Sequence, residues 1–478
     1  MTRENNNRNS KSIELGSIYY NNITIISDDI TGWNNGYSAS PSIVIDSNEI
    51  IHAVWADDTN GAWGSDKEIM YAFKNGTEWT NITVISDDST QWNNDSSNHP
   101  SIAVDINGTI HIVWQDSTNG VWGSDTEIMY SFNNGSGWSN ATVISDDIIN
   151  WNDGRSSYPS LAVDINGTIH VVWNDDTDGI WGTDEEIMYI ANNGTGWSDI
   201  MVISDDGTNW NDGDSYNPSI AVDETDKVHV VWDDTTDGAW STDWEIMYAS
   251  NDGSGWSNAT VISDDITNWN DGESSYPSLA VDINGTIHVV WKDDTDGIWG
   301  TDEEIMYIAN NGTGWSDITV ISDDANQWNN GPSYLPSIAV DYKGIIHVVW
   351  SDNTKGIWGT DPEVMYTFNN GSGWSNFFII SDNNTNWNRE LSWEPSIAVD
   401  NKGIIHVVWE DDSDGIWGNQ WLDWEIMYSS SKGYKIIFTN NSDNRISLGN
   451  TYIFFMLIGI SCIFIQSYKK YKKRLLKT

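Results

Sequence analysis

Apolar and polar positions along this chain alternate in short runs, and the runs return. In "PSLAVD" (Pro277 to Asp282) small and branched residues alternate as in a strand with one packed face. "ING" follows, and Asn-Gly readily takes the positive φ that a two-residue hairpin needs. "TIHVVW" (Thr286 to Trp291) reads as a second strand, with Ile, Val and Trp on one face and His and Val on the other. After an acidic loop, "EIMYIAN" reads as strand three, and "NGTG" turns it into "WSDITVIS", strand four. A longer loop, "DDANQWNNGPSY", leads into the next copy.

The serine of "ISD" measures the period. It stands at Ser27, Ser86, Ser145, Ser204, Ser263, Ser322 and Ser381, each step 59 residues. Seven copies of equal length, each of four antiparallel strands, describe one closed ring, an all-β seven-bladed propeller. A solenoid is the competing architecture, but it would carry odd capping repeats and drift in length, whereas the serine ruler here shows no drift and the seventh copy alone carries a three-residue insertion around Gln420 and Trp421. The expected organisation is a polar segment 1–21, a propeller 22–440, a linker 441–450, an apolar helix 451–468 and a basic tail 469–478.

The pattern "PSIAVD…GTIHVVW…EIMY…GSGW" resembles the repeats of the sialidase-like superfamily (Asp-box, or BNR, repeats). Ser131 to Trp138, "SFNNGSGW", is similar to a degenerate Asp box with Asn in place of the Asp. The resemblance spans residues 22 to 439. It implies a propeller fold and, for an active sialidase, an arginine triad with a Tyr/Glu pair. Only Arg155 and Arg389 lie between residues 22 and 439, so three arginines cannot converge there. Paired carboxylates for another glycoside hydrolase are not marked out among so many acids. A recognition or adhesion module for a glycan or protein is therefore expected, with a sialidase-like hydrolase as the alternative.

Charge narrows the partners. A formal net charge of −50 argues against nucleic acid, whose phosphates need Lys and Arg, and disfavours acidic ligands while suiting cationic ones. The single cysteine, Cys462, allows no internal disulfide.

The stretch "DDTDGIWGTDEEIMY" (Asp175 to Tyr189) looks like a calcium loop, with Asn174, Asp176, Asp178, Gly179 and Glu185 on the ligand positions. The seven copies test this. The first position is Ala56, Gln115, Asn174, Asp233, Lys292, Ser351 and Glu410, and the twelfth includes Lys67, Trp244 and Pro362. Such residues cannot supply an EF-hand's ligands, so that reading fails. Asp176, Asp178, Asp294 and Asp296 remain as acids that could hold a Ca²⁺ ion in some other geometry. The invariant Asp57, Asp116, Asp175, Asp234, Asp293, Asp352 and Asp411, with the following Gly and Trp, read as turn-forming scaffold. Seven equivalent histidines, His52 through His406, open strand two and read as buried, hydrogen-bonded structural groups.

Because strand direction alternates, the two long loops of each copy share one face. In the copy from Ser263 to Ile321 that face receives Asp264, Asp265, Asp271, Glu273, Asp293, Asp294, Asp296, Asp302, Glu303 and Glu304, against Asp282 and Asp317 on the short-turn face. Residues that break the repeat are the better candidates for a binding site: Trp244, Arg389, Trp393, Trp421 and Trp424, with His99 and Arg155 as further departures.

From Ile446 to Tyr468 no residue is charged, and Lys469, Lys470, Lys472, Lys473, Arg474 and Lys477 follow. This reads as a single span with the tail in the cytoplasm and the propeller outside the cell membrane. The first sixteen residues contain no apolar run resembling a signal peptide. A missing true beginning, another export route or a tail anchor facing the cytoplasm would each fit. For the last outer strand "ITIIS" (Ile23 to Ser27) competes with "YKIIF" (Tyr434 to Phe438), and the N-terminal strand is expected to seal the ring, since closure removes exposed edges.

Overall fold

The structure, a computed structural model, describes residues 23–27, 36–59, 66–87, 93, 95–120, 123–146, 152, 154–177, 183–205, 211, 213–236, 243–264, 272–295, 301–323, 329, 331–355, 361–381, 391–412 and 424–431. Residues 20–430 form one compact unit; a second comprises 1–19 and 431–478, of which only Ser431 is described. Among the described residues no helix is long and apolar enough to cross a membrane, and 451–468 lie outside them.

The first unit opens with β1 (Thr24–Ile25), followed by β2 (Ser38–Ile45), β3 (Ile51–Asp57), β4 (Glu68–Lys74) and β5 (Thr83–Val84), a four-stranded antiparallel sheet in chain order. The same sheet recurs at 97–143 (β6–β9), 156–202 (β10–β13), 215–261 (β14–β17), 274–320 (β18–β21) and 333–379 (β22–β25). The seventh contains β26 (Ser392–Val399), β27 (Ile405–Asp411) and β28 (Glu425–Ser430), and its outer strand is β1, paired Thr24 to Tyr428 and Ile25 to Met427. The N-terminal strand therefore closes the ring, as expected from the sequence. The competing "YKIIF" lies outside the described residues.

The core lies between blades rather than within one. Val54, Ile69 and Tyr71 of the first blade pack with Ile102, Ile112, Trp114 and Met129 of the second. Val408, Ile426 and Tyr428 of the last blade pack with Ile43, Trp55 and Met70 of the first. This explains why strand two is apolar on both faces, and why its tryptophans, Trp55 through Trp409, are fully buried. A second set of tryptophans wedges between neighbours: Trp138 meets Tyr71 of the preceding blade edge-on at 5.0 Å, and Trp79 meets Tyr428 at 5.1 Å. The tryptophans that follow the invariant Asp and Gly in sequence, Trp63 to Trp417, lie outside the described residues.

Two expectations need correction. The fourth strand is not the eight residues of "WSDITVIS" but Thr319–Val320, with one further bridge from Trp315 to Asn310. Between them the Ser316 hydroxyl accepts the Ala309 N–H at 3.1 Å, so a side chain takes over part of the ladder and shortens the edge. The first strand begins at Ser274, three residues before Pro277, because a bulge between Ser275 and Ser278 carries the chain past the proline, which has no N–H to pair.

Candidate functional site

The first strands of all blades surround the axis. At the bulge of each sits a proline preceded by a residue in the left-handed region: Ser40 (φ 51°), His99 (48°), Tyr158 (51°), Asn217 (49°), Tyr276 (55°), Leu335 (50°) and Glu394 (45°). A non-glycine residue held there costs on the order of 1–2 kcal/mol, so the surroundings must hold it. The preceding blade does so in several places. The Tyr158 N–H donates to Gln115 Oε1 at 3.0 Å, and the Ser40 N–H donates to Glu410 Oε1.

These residues line an open axial cavity of about 700 Å³. They stand near the strand ends that pair Ser38 with Asp57 and Ser274 with Asp293, so the cavity lies at the long-loop end of the axis. Its wall is not sevenfold. Tyr158 and Tyr276 are each 43% exposed, and the Tyr158 ring lies 4.4 Å from His99. Lys292, Leu335 and Trp393 complete other sectors. Deeper in the wall, the serine after each proline joins neighbouring blades: Ser160 Oγ accepts the Ile220 N–H at 3.3 Å and Ser219 Oγ the Leu279 N–H at 3.2 Å.

One sector carries two carboxyls. Glu394 lines the cavity, while Glu410 behind it is 2% exposed and also accepts from Tyr37 Oη at 3.1 Å. Burial first, and then the neighbouring Glu394 charge, push the Glu410 carboxyl well above the usual range. Burial likewise lowers the His99 imidazole, against the opposing pull of Glu394.

Of the residues singled out from sequence, Trp393 lines the cavity, its ring 5.2 Å from Tyr334. Trp424 packs on Tyr37 at 5.4 Å, and Trp244 stacks on Tyr216 at 5.6 Å, in the seventh and fourth blades respectively. Trp393 and Trp424 thus belong to the seventh blade and Trp244 to the fourth. Arg389 and Trp421 lie outside the described residues, while Arg155 pairs with Glu185 at 3.5 Å. Among the acids weighed for calcium, Asp176 accepts the Arg155 N–H and Asp294 the Glu273 N–H, and Asp178 and Asp296 lie outside the described residues. Among the described residues, no group of three or more acidic, histidine or cysteine side chains is placed to hold a metal ion.

The invariant aspartates are scaffold, as the repeat indicated. Asp116 Oδ2 accepts from Trp114 Nε1 (2.9 Å), Ser97 Oγ (2.7 Å) and Asn93 Nδ2 (3.0 Å), while Oδ1 accepts the Thr118 N–H (2.9 Å). The histidines are structural too; His111 Nδ1 lies 2.8 Å from Tyr130 Oη. Counting acids overstated the charge of the long-loop face, because Asp293 and Glu304 are wholly buried. Apart from His99, sequence reasoning missed the residue before each proline. Its signal was present as the position in "x-P-S" that changes in nearly every copy while the Pro-Ser does not.

No protein-family model matches the chain, and no curated protein matches it. Among solved structures it is similar to an ulvan lyase of a polysaccharide lyase family, with a TM-score of 0.53 and 13% identity over 82% of this chain and 94% of that one. An alpha-L-arabinanase of Penicillium chrysogenum, solved with arabinobiose, gives 0.46 and 15% over 70% and 92%. The intramolecular trans-sialidase of Ruminococcus gnavus, solved with oseltamivir carboxylate, gives 0.42 and 12% over 85% and 96%. At these identities the likeness is one of fold, a β-propeller.

Proposed function

We propose that the propeller is a saccharide-recognition module that binds at the axial cavity, held at the outer cell surface by residues 451–468 with the tail 469–478 in the cytoplasm. The carrying observation is the broken symmetry of the cavity wall. Seven equivalent, conformationally costly positions hold Ser, His, Tyr, Asn, Tyr, Leu and Glu, each ahead of an unchanging Pro-Ser. Exposed Tyr158 and Tyr276 offer flat faces for sugar rings, with Asn217, Ser40 and Glu394 as polar partners. The net charge of −50 favours neutral or cationic ligands over acidic ones. Fold similarity to proteins that act on polysaccharides raises this reading by analogy alone. The test is calorimetric titration of the full chain with a panel of neutral, amino and acidic oligosaccharides. A ligand should bind the native protein and lose at least about tenfold in affinity on Tyr158→Ala or Tyr276→Ala, a cost of about 1.4 kcal/mol. Equal binding by both variants would move the site elsewhere.

Hydrolysis is the second reading, favoured by one observation: two carboxyls side by side at the cavity wall, Glu394 and the buried Glu410, whose carboxyl is pushed well above the usual range. Glu410 is buried with both oxygens already accepting hydrogen bonds, which suits positioning of Glu394 better than proton delivery to a substrate. Turnover of aryl glycosides abolished by Glu394→Gln would establish it.

A further inference from the structure

The face opposite the cavity mouth carries apolar side chains that the fold does not require. Each blade's first hairpin turns through Asp-x-Asn-Gly or a variant of it. In the second blade Asp105 Oδ1 accepts the N–H groups of Asn107 (2.9 Å) and Thr109 (2.7 Å), and Gly108 takes φ +81°. Position x has no part in this bonding and points to solvent. It is nevertheless Ile106 (69% exposed), Ile165 (56%), Ile283 (55%) and Tyr342 (53%) in four blades, against Ser47, Glu224 and Asn401 in the others. These are four of the eight exposed large hydrophobic residues among the described residues. Lys74, Lys227, Lys343 and Lys402 stand at the same ends of the strands, and Lys343 Nζ lies 4.7 Å from the Tyr342 ring. Aromatic and Lys side chains beside aliphatic ones are the composition of an interfacial layer.

Chain direction selects the same face. The last strand runs from Glu425, paired with Asp411 at the long-loop end, to Ser430, paired with His406 at the short-turn end. The chain therefore leaves the propeller among these turns, and residues 431–450 separate that exit from the apolar stretch 451–468. We propose that the short-turn face is a lipid-docking surface. Ile106, Ile165, Ile283 and Tyr342 enter the interfacial layer of a bilayer, so that the cavity opens away from it. This rests on the reading of 451–468 as a membrane span, and the experiment separates the two.

The full chain is reconstituted into phosphatidylcholine vesicles containing a lipid with a nitroxide near its headgroup and, separately, one with a nitroxide deep in its acyl chain. A fluorophore is placed on native Cys462, or on Ile165→Cys or Leu391→Cys, each in a Cys462→Ser background; Leu391 is exposed on the long-loop face. Ile165 is an exposed turn position, so its substitution leaves the core intact. The expected result is quenching of Cys462 by the deep nitroxide, loss of most of the Ile165→Cys emission with the shallow one, and no change at Leu391→Cys. Quenching at Cys462 with a bright Ile165→Cys label would overturn the docking surface and keep the span. A quenched Ile165→Cys label with Cys462 unaffected would keep the docking surface and refute the span. An Ile165→Cys label that blue-shifts without lipid quenching would assign the face to a second copy of the chain and overturn the proposal.

Discussion

Glu186→Gln should make the protein less sensitive to alkali in a way that can be read directly. Glu186 is fully buried; its Oε2 accepts from Ser204 Oγ, and its Oε1 has no hydrogen-bond partner. Burial raises its carboxyl to about 9, with Asp184, Asp205 and Asp234 adding to the effect against the Ser204 hydrogen bond. In the unfolded chain the same group ionises near 4.5. Between those values the folded protein holds a proton that the unfolded chain has lost, so stability falls as pH rises, by about 1.4 kcal/mol per pH unit. Glutamine has the shape of the protonated acid and no such slope. The stability difference, variant minus parent, should therefore climb by about 2.7 kcal/mol from pH 5.5 to 7.5. Urea denaturation at several pH values measures it, provided the unfolding slope is unchanged between the two proteins. A difference that stays flat would mean that Glu186 is ionised when folded, and the account of its raised carboxyl would be wrong. Repeating the series with Ca²⁺ would then show whether a cation balances that charge.

The histidines should act in the opposite pH range. Burial, and then Lys227, lower His229 to about 4, so its contribution is intact above pH 6.5 and is lost as pH falls toward 4. The stability deficit of His229→Gln should thus shrink by about 2 kcal/mol between pH 6.5 and 4.5, and a constant deficit in chemical denaturation would contradict this. Ile26 is 3% exposed and its N–H donates to Ile426 O at 2.9 Å, so Ile26→Asp should release the closing strand. A loss of about 3 kcal/mol or more is expected from burying an unpaired charge or freeing the edge. An unchanged denaturation midpoint would show that β1 does not seal the ring.

The repeat, the strand order and the closing strand were legible in the sequence because they depend on period and on alternation, which one chain displays seven times. The bulge was not. A residue before proline is biased toward extended backbone, yet Tyr158 and its equivalents are left-handed. At Tyr158 that conformation is held from another blade, by Gln115, 43 residues away in sequence. Burial escaped for the same reason: the letters of Asp293 and Glu304 look like loop charge, and only packing against the next blade removes them from water. The site was half legible. Asymmetry as a criterion picked out Trp393 and His99, which line the axial cavity, but passed over the other residues before the prolines.

The closing strand also has a consequence for how the polypeptide is made. β1 precedes every other described strand and β28 belongs to the seventh blade, so their pairing spans about four hundred residues and waits until that blade has been made. In the meantime β1 meets six other third strands of almost the same sequence. Each of these acquires its own fourth strand from the chain that follows it, whereas β28 has none from its own blade. The correct partner is thus distinguished by vacancy rather than by complementarity. An eighth copy appended after Ser430 would supply β28 with an outer strand and leave β1 to compete for its place, so the chain's blade count is part of the instruction for where its beginning belongs.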